Sequence, residues 1–143
     1  MTPTDPAKPR IVLLCSANRK TPYPAPAIEL YRSEFFRLGR SYAWTLEPQQ
    51  IFILSALHGL VPADQELTPY PETMSELGRG EVNLWANSIV QALAEKVDLP
   101  KYEVFVLGLR RFAQPIFKQL PQGQAPLVGM TMPQALNWLR EKV

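Results

Sequence analysis

Residues 51–70 read IFILSALHGLVPADQELTPY, and this stretch decides the fold class. Its opening run is apolar, rich in β-branched and aromatic types, and stops abruptly at Ser55. A short continuous apolar run closed by turn-forming residues reads as a strand buried on both faces. Strands of that kind belong to parallel sheets covered by helices. Residues 11–14, IVLL, repeat the pattern and end in Cys15-Ser16-Ala17-Asn18-Arg19-Lys20. Two strand ends thus release polar, reactive side chains in a chain that has one Cys and one His. In open α/β sheets, ligands bind beyond the carboxyl ends of the strands, so the site is expected there.

Outward from these strands the hydrophobic period changes. Ile28, Tyr31, Phe35, Leu38 and Tyr42 recur at spacings of three and four, which predicts a helix over residues 27–46. A second stripe, Val82, Trp85, Ile89, Leu93 and Val97, predicts a helix over residues 81–97. Residues 102–107 read as a third strand ending at Gly108. Residues 110–120 read as a helix that Pro115 must open or kink, and residues 125–128 as a short fourth strand. Thr131 as N-cap, with Pro133 in the first turn, opens a last helix through residue 142. Residues 58–80 lack a period, and so long a connection implies a functional loop or short helical turns. Strand and helix alternate four times. The expected fold is therefore α/β: a three-layer, mainly parallel four-stranded sheet with helices on both faces, Rossmann-like or flavodoxin-like. Residues 1–9 are expected as a flexible tail and residues 10–143 as a single α/β domain.

A chain of 143 residues buries roughly 70% of its unfolded surface, enough to fold without staples. Hydrophobic residues at 46% and charged residues at 20% exclude an intrinsically disordered chain. One Cys excludes an internal disulfide and a cysteine-based zinc site; with a single His, only carboxylates remain, and no metal is expected. The loop after the first strand has no glycine, so it is neither a Walker A loop nor a dinucleotide fingerprint, and no cofactor is expected. A net charge of +2 neither demands nor forbids nucleic acid, because clustering of Lys and Arg matters more than their total. The apolar run after MTPTDPAKPR is about five residues, too short for a secretory or spanning segment. A cytoplasmic protein with no membrane partner is expected. The oligomeric state is not legible.

Cys15 reads either as a small buried hydrophobe or as a thiol activated by the cations Arg19 and Lys20. Ser16, Asn18 and Lys20 suit an anion or nucleotide, since a polar loop leaving a strand presents N–H groups, a hydroxyl and an ammonium. Ser55 and His58 lie three residues apart across a turn. A relay between them would need Asp64, Glu66 or Glu72 to orient the imidazole. Ser55 lacks the flanking glycines of a nucleophile elbow, which favours a ligand-binding or loop-capping hydroxyl. Gly59 is expected to supply a turn with positive φ. Each of the three carboxylates reads as solvated surface or as a general base. Tyr70, held extended between Pro69 and Pro71, offers a directed ring for base stacking or for packing on the sheet. Arg110 and Arg111 follow the third strand; with Arg19, Lys20 and Arg79 they would form one basic rim for a phosphate-bearing ligand.

Four segments together resemble a bacterial family of small uncharacterised domains: CSANRK at residues 15–20, AIELYRSEFFR at 27–37, ILSALHGLVPADQELTPY at 53–70, and Met74 and Trp85 with ten residues between them. That family carries a C-S-x-x-K strand end, a helix with L-Y-x-S-x-x-F, then I-L-S-A-x-x-G-L and a later P-Y. It is similar in turn to the YaaA peroxide-stress proteins and to a domain of archaeosine synthase, an enzyme of 7-deazaguanine tRNA modification. The likeness covers about residues 10–95. It implies a shared site of Cys15, Ser16, Lys20, Tyr31, Ser33, Ser55, Gly59 and Tyr70. Ser33 would lie one turn into the first helix and face the strand-one loop, whereas His58 falls at a variable position of the motif. The resemblance implies DNA binding, as in YaaA-like proteins, or transfer onto a modified base, as in archaeosine synthase.

The leading expectation is a nucleotide- or nucleic-acid-related protein. It would hold a phosphate-bearing or nucleobase ligand at the C-terminal ends of strands one and two, with action on a base or its glycosidic bond as the enzymatic form. Cys15 and Ser55 are the candidate catalytic residues. Ser16, Asn18, Lys20, Tyr31, Ser33, His58, Gly59, Tyr70 and Arg110 are the candidate ligand-binding ones. The alternatives are a non-catalytic DNA-binding stress-response module and a small hydrolase using Cys15 or Ser55.

Overall fold

The apolar runs that end at Cys15 and Ser55 lie side by side in the computed structural model, which describes residues 8–120 and 122–143. Most of the tail expected over residues 1–9 lies outside the described residues. In chain order the elements are β1 (Arg10–Cys15), β2 (Ala25–Pro26), α1 (Ala27–Leu30), α2 (Glu34–Thr45), β3 (Gln50–Ser55), β4 (Gly59–Pro62) and β5 (Glu66–Leu67). They continue with α3 (Arg79–Lys96), β6 (Glu103–Leu107), α4 (Arg110–Phe117), β7 (Gly123–Gln124) and α5 (Met132–Lys142). Five strands form one sheet in the order β4-β3-β1-β6-β7, and β2 pairs with β5 in a separate small sheet. β3, β1, β6 and β7 run parallel, while β4 returns antiparallel along β3. The parallel strands therefore lie in the order second, first, third, fourth along the chain.

The pleat of β1 divides the core. Ile11, Leu13 and Cys15 meet Trp85, Ala86, Ile89 and Leu93 of α3 and Ala113 and Ile116 of α4. Val12 and Leu14 meet Phe36 and Ala43 of α2. Both faces of β1 are thus apolar, as the unbroken runs predict. α5 packs on α2, where the rings of Trp138 and Tyr42 meet edge to face 5.0 Å apart. No described helix is long and apolar enough to cross a membrane.

Three elements differ from the expectation. The helix expected over residues 27–46 breaks after Leu30. Tyr31 is extended and bridges to Lys20, and the Arg32 N–H donates to the Arg19 carbonyl at 2.9 Å. Ser33 is then the N-cap of α2, its hydroxyl accepting from the Phe36 N–H at 3.2 Å. It does not lie one turn inside a helix; a serine before Glu34 is a start signal that the apolar spacing masks. Secondly, the sheet has five strands rather than four, because residues 59–62 form a hairpin with β3. Gly59 (φ +70°) closes its turn, the left-handed conformation that glycine adopts freely. Thirdly, the last strand forms at Gly123–Gln124 rather than over residues 125–128. Pro126 has no N–H to give a ladder, and residues 126–129 turn instead.

Candidate functional site

A cavity of about 360 Å³ opens where β1 and β6 end. The chain leaving β1 contributes Cys15, Ser16, Ala17, Asn18 and Arg19, and the chain leaving β6 contributes Gly108 and Leu109. Phe35 and Phe112, from the first turns of α2 and α4, form walls with Met74 and Met132. Ser33 and Ser75 join Ser16, Asn18 and Arg19 as the polar side chains of the lining. The N-terminal ends of α2, α4 and α5 all reach this cavity through Ser33, Phe112 and Met132. Helix N-termini carry partial positive charge and favour anions. Ser33 caps α2, whereas Leu109 gives no side chain to the opening N–H groups of α4.

Gly108 is required by close approach. A Cβ there would lie 2.5 Å from Cys15 Sγ, so the thiol rests on the Gly108 backbone. Cys15 is buried, and burial pushes its thiol up to about 12. At neutral pH it is a protonated, apolar part of the cavity floor.

The end of β3 builds something else. Tyr31 Oη lies 2.5 Å from Tyr70 Oη, which lies 2.6 Å from Ser55 Oγ. Ser55 Oγ also accepts from the N–H groups of Leu57 (3.2 Å) and His58 (3.0 Å). All three side chains are buried, and the chain of hydroxyls closes the turn that leads into β4. Burial, with the Tyr70 hydroxyl beside it, pushes the Tyr31 phenol well up; the hydroxyls of Ser55 and Ser16 act the other way. The Trp85 indole N–H donates to the Ser55 carbonyl at 3.0 Å. What joins Ser55 to His58 is thus a backbone N–H rather than the imidazole, whose ring is exposed and stands edge-on to Tyr70 at 5.2 Å. Lys20 donates to the Glu72 carbonyl at 3.1 Å and lies 4.3 Å above the Tyr70 ring. Burial lowers its pKa, opposed by the carboxylates of Glu72 and Glu76. Asp64 and Glu66 are exposed.

Arg110 belongs to a third place. A groove of about 1080 Å³ between α3 and α4 is lined by Arg79, Arg110, Arg111 and Lys118 together with Asn83, Asn87, Gln114 and Gln119. Three of the five cations expected in one rim gather here, while Arg19 lines the cavity and Lys20 turns to Glu72.

The residues singled out from sequence are therefore shared among three settings. Cys15, Ser16, Asn18 and Ser33 line the cavity. Lys20, Tyr31, Ser55 and Tyr70 form the inner cluster, with His58 and Gly59 at its turn. Phe35, Phe112, Met74 and Met132 are not among the expected site residues. Phe112 has a usable signal, four residues past Gly108 at a strand end, but Met132 has none beyond opening a helix. Among the described residues no group of three or more His, Cys, Asp or Glu side chains is placed to hold a metal ion. No curated protein and no solved structure matches the chain. Residues 11–141 match a family of unknown function, DUF6884, and the chain belongs to that family.

Proposed function

We propose that the protein binds a nucleobase or nucleotide in the cavity at the ends of β1 and β6. The observation that carries this is the composition of the cavity: two phenylalanines and two methionines as walls, with Ser16, Asn18, Arg19, Ser33 and Ser75 as polar contacts. Flat apolar walls suit a planar ring, and stacking on one aromatic side chain is worth about 1–3 kcal/mol per base. The serines and Asn18 offer donors and acceptors for ring edges, and Arg19 and three helix N-termini favour a phosphate. A volume near 360 Å³ lies in the range of small-molecule sites. The order β3-β1-β6-β7 supports a flavodoxin-like arrangement, in which ligands sit at the β1/β6 switch point. The likeness to YaaA proteins and to archaeosine synthase points to the same ligand class.

The walls favour recognition over proton transfer. Among the described residues the lining holds neither a carboxylate nor an imidazole, and its one thiol is protonated. Thermal unfolding with adenosine and guanosine monophosphates, their nucleosides and inorganic phosphate tests the proposal. A nucleotide at 100 times its Kd should stabilise the wild type by about 2.7 kcal/mol. Phe112→Leu and Arg19→Gln should lose most of that shift, while Lys142→Gln keeps it. Equal shifts in all four proteins, or none in the wild type, overturn it.

A further inference from the structure

We infer that the groove between α3 and α4 carries the sugar-phosphate backbone of a single-stranded nucleic acid. Two contacts establish how the helices lie: Arg111 donates to the Leu77 carbonyl just before α3, and Gln119 donates to Asn87 at 2.8 Å. Positions 79 to 87 therefore run beside 111 to 119 in the same direction. Both N-termini lie at one end of the groove, where their dipoles add to Arg79, Arg110 and Arg111; Lys118 lies towards the other end. Among the described residues none of these four cations is in an ion pair, and no carboxylate lines the groove. The remaining polar side chains are the amides of Asn83, Asn87, Gln114 and Gln119. Cations interleaved with neutral amides match a row of phosphates and sugars, which offers acceptors throughout.

Length and width choose the strand. Eight helical residues rise about 12 Å, which spans three to four phosphates at about 3.4 Å per nucleotide of a stacked strand. Packed helices stand about 8–10 Å apart, so the furrow between them admits one row of phosphates and not a double helix. The first turn of α4 presents Arg110 and Arg111 to the groove and Phe112 to the cavity. A strand in the groove therefore passes the cavity mouth. The part of the inference that places one of its bases inside rests on the proposed nucleobase site.

Fluorescence anisotropy with labelled single-stranded DNA and RNA 12-mers, across a salt series, tests this. Counterion release gives a slope of log K against log[salt] of about −0.7 per contact, so about −3 for four. Arg110→Gln with Lys118→Gln should flatten the slope by about 1.4, whereas Lys101→Gln and Lys142→Gln, outside the groove lining, should leave it unchanged. Arg111 stays intact because it bridges to Leu77 and lies over the Phe112 ring at 5.0 Å. Circular dichroism checks that the variants fold. No binding at 20 mM salt, an unchanged slope in the double variant, tighter binding of a matched duplex, or equal binding of polyphosphate each overturns the inference. The two proposals fail separately. Nucleotides that stabilise the protein while 12-mers do not bind remove the groove; groove-dependent binding that Phe112→Leu leaves untouched upholds the groove and removes the base from the cavity.

Discussion

Gly108→Ala should destabilise the protein by about 3 kcal/mol, and removing the Cys15 thiol should restore about half of that loss. The new methyl would lie 2.5 Å from Cys15 Sγ and 3.2 Å from Cys15 Cβ, against an optimal non-bonded separation of about 3.5–4.0 Å between carbon atoms. Cys15 cannot move aside, because β1 is held by β3 on one edge and β6 on the other. Overpacking of this kind costs about 1–3 kcal/mol, and a central strand with both edges paired belongs at the top of that range. Cys15→Ala alone deletes one buried sulfur, for about 1 kcal/mol. In the double variant the one tight contact left is that at 3.2 Å, which a shift of a few tenths of an ångström absorbs. The double variant should then lose about 1–2 kcal/mol where independent effects would total about 4, a coupling near the upper limit for touching residues. Urea unfolding followed by tryptophan fluorescence measures all four proteins, and Gly108→Ala alone should melt about 10 °C lower. A neutral Gly108→Ala, or a double variant that loses the sum, would refute the contact between the thiol and the Gly108 backbone. The floor of the cavity would then have a different shape.

Cys15 should label with iodoacetamide in urea far faster than in the native protein, since burial keeps the folded thiol protonated; rapid native labelling at pH 8 refutes this. The thiol holds its proton from its usual value of 9.0 up to about 12 in the fold. Its contribution to stability is therefore complete below pH 9 and is lost between pH 9 and 12, at about 1.4 kcal/mol per pH unit. Cys15→Ala should flatten that part of the profile. Along the hydroxyl chain, Ser55→Ala strips Tyr70 and two N–H groups of a partner and should cost about 2–4 kcal/mol, while Tyr31→Phe leaves Tyr70 bonded to Ser55 and should cost about 1. Equal losses by calorimetry would sink the assigned order of the chain.

Three of the four parallel strands were legible because burial on both faces forces unbroken apolar runs, and β1, β3 and β6 each carry one. α5 was legible through its cap, where the Thr131 hydroxyl and the Gln134 side chain satisfy each other's backbone N–H groups. β4 was not, because Gly59-Leu60-Val61-Pro62 is too short to show an alternation and ends in proline. The break at Tyr31 was hidden for another reason: its ring is buried, so it satisfies the helical spacing although its backbone is extended. For the site, local chemistry singled out the polar loop after β1, and that loop lines the cavity. It could not mark Phe35, Phe112, Met74 or Met132, since apolar side chains near helix starts look like any other core residues.

Why the ends of β1 and β3 do not share one hollow follows from the order of the strands. The connection from β1 to β3 passes through α2 on the Val12 and Leu14 face, and that from β3 to β6 passes through α3 on the opposite face. A crevice opens between neighbouring strands whose connections leave in opposite directions, and here that border lies between β1 and β6. The border between β1 and β3 is sealed instead: the Ser16 N–H donates to the Leu54 carbonyl at 3.1 Å, extending the ladder past the end of β1. Ser55 then turns at once into β4, and Tyr31 and Tyr70 fill the space above it. At that strand end the Ser55 hydroxyl and the His58 N–H close the turn into β4, while the cavity is lined by the loops after β1 and β6 and by the helices that begin beside them. In a parallel sheet, the motif at a strand end marks a site only when the neighbouring connection leaves room for one.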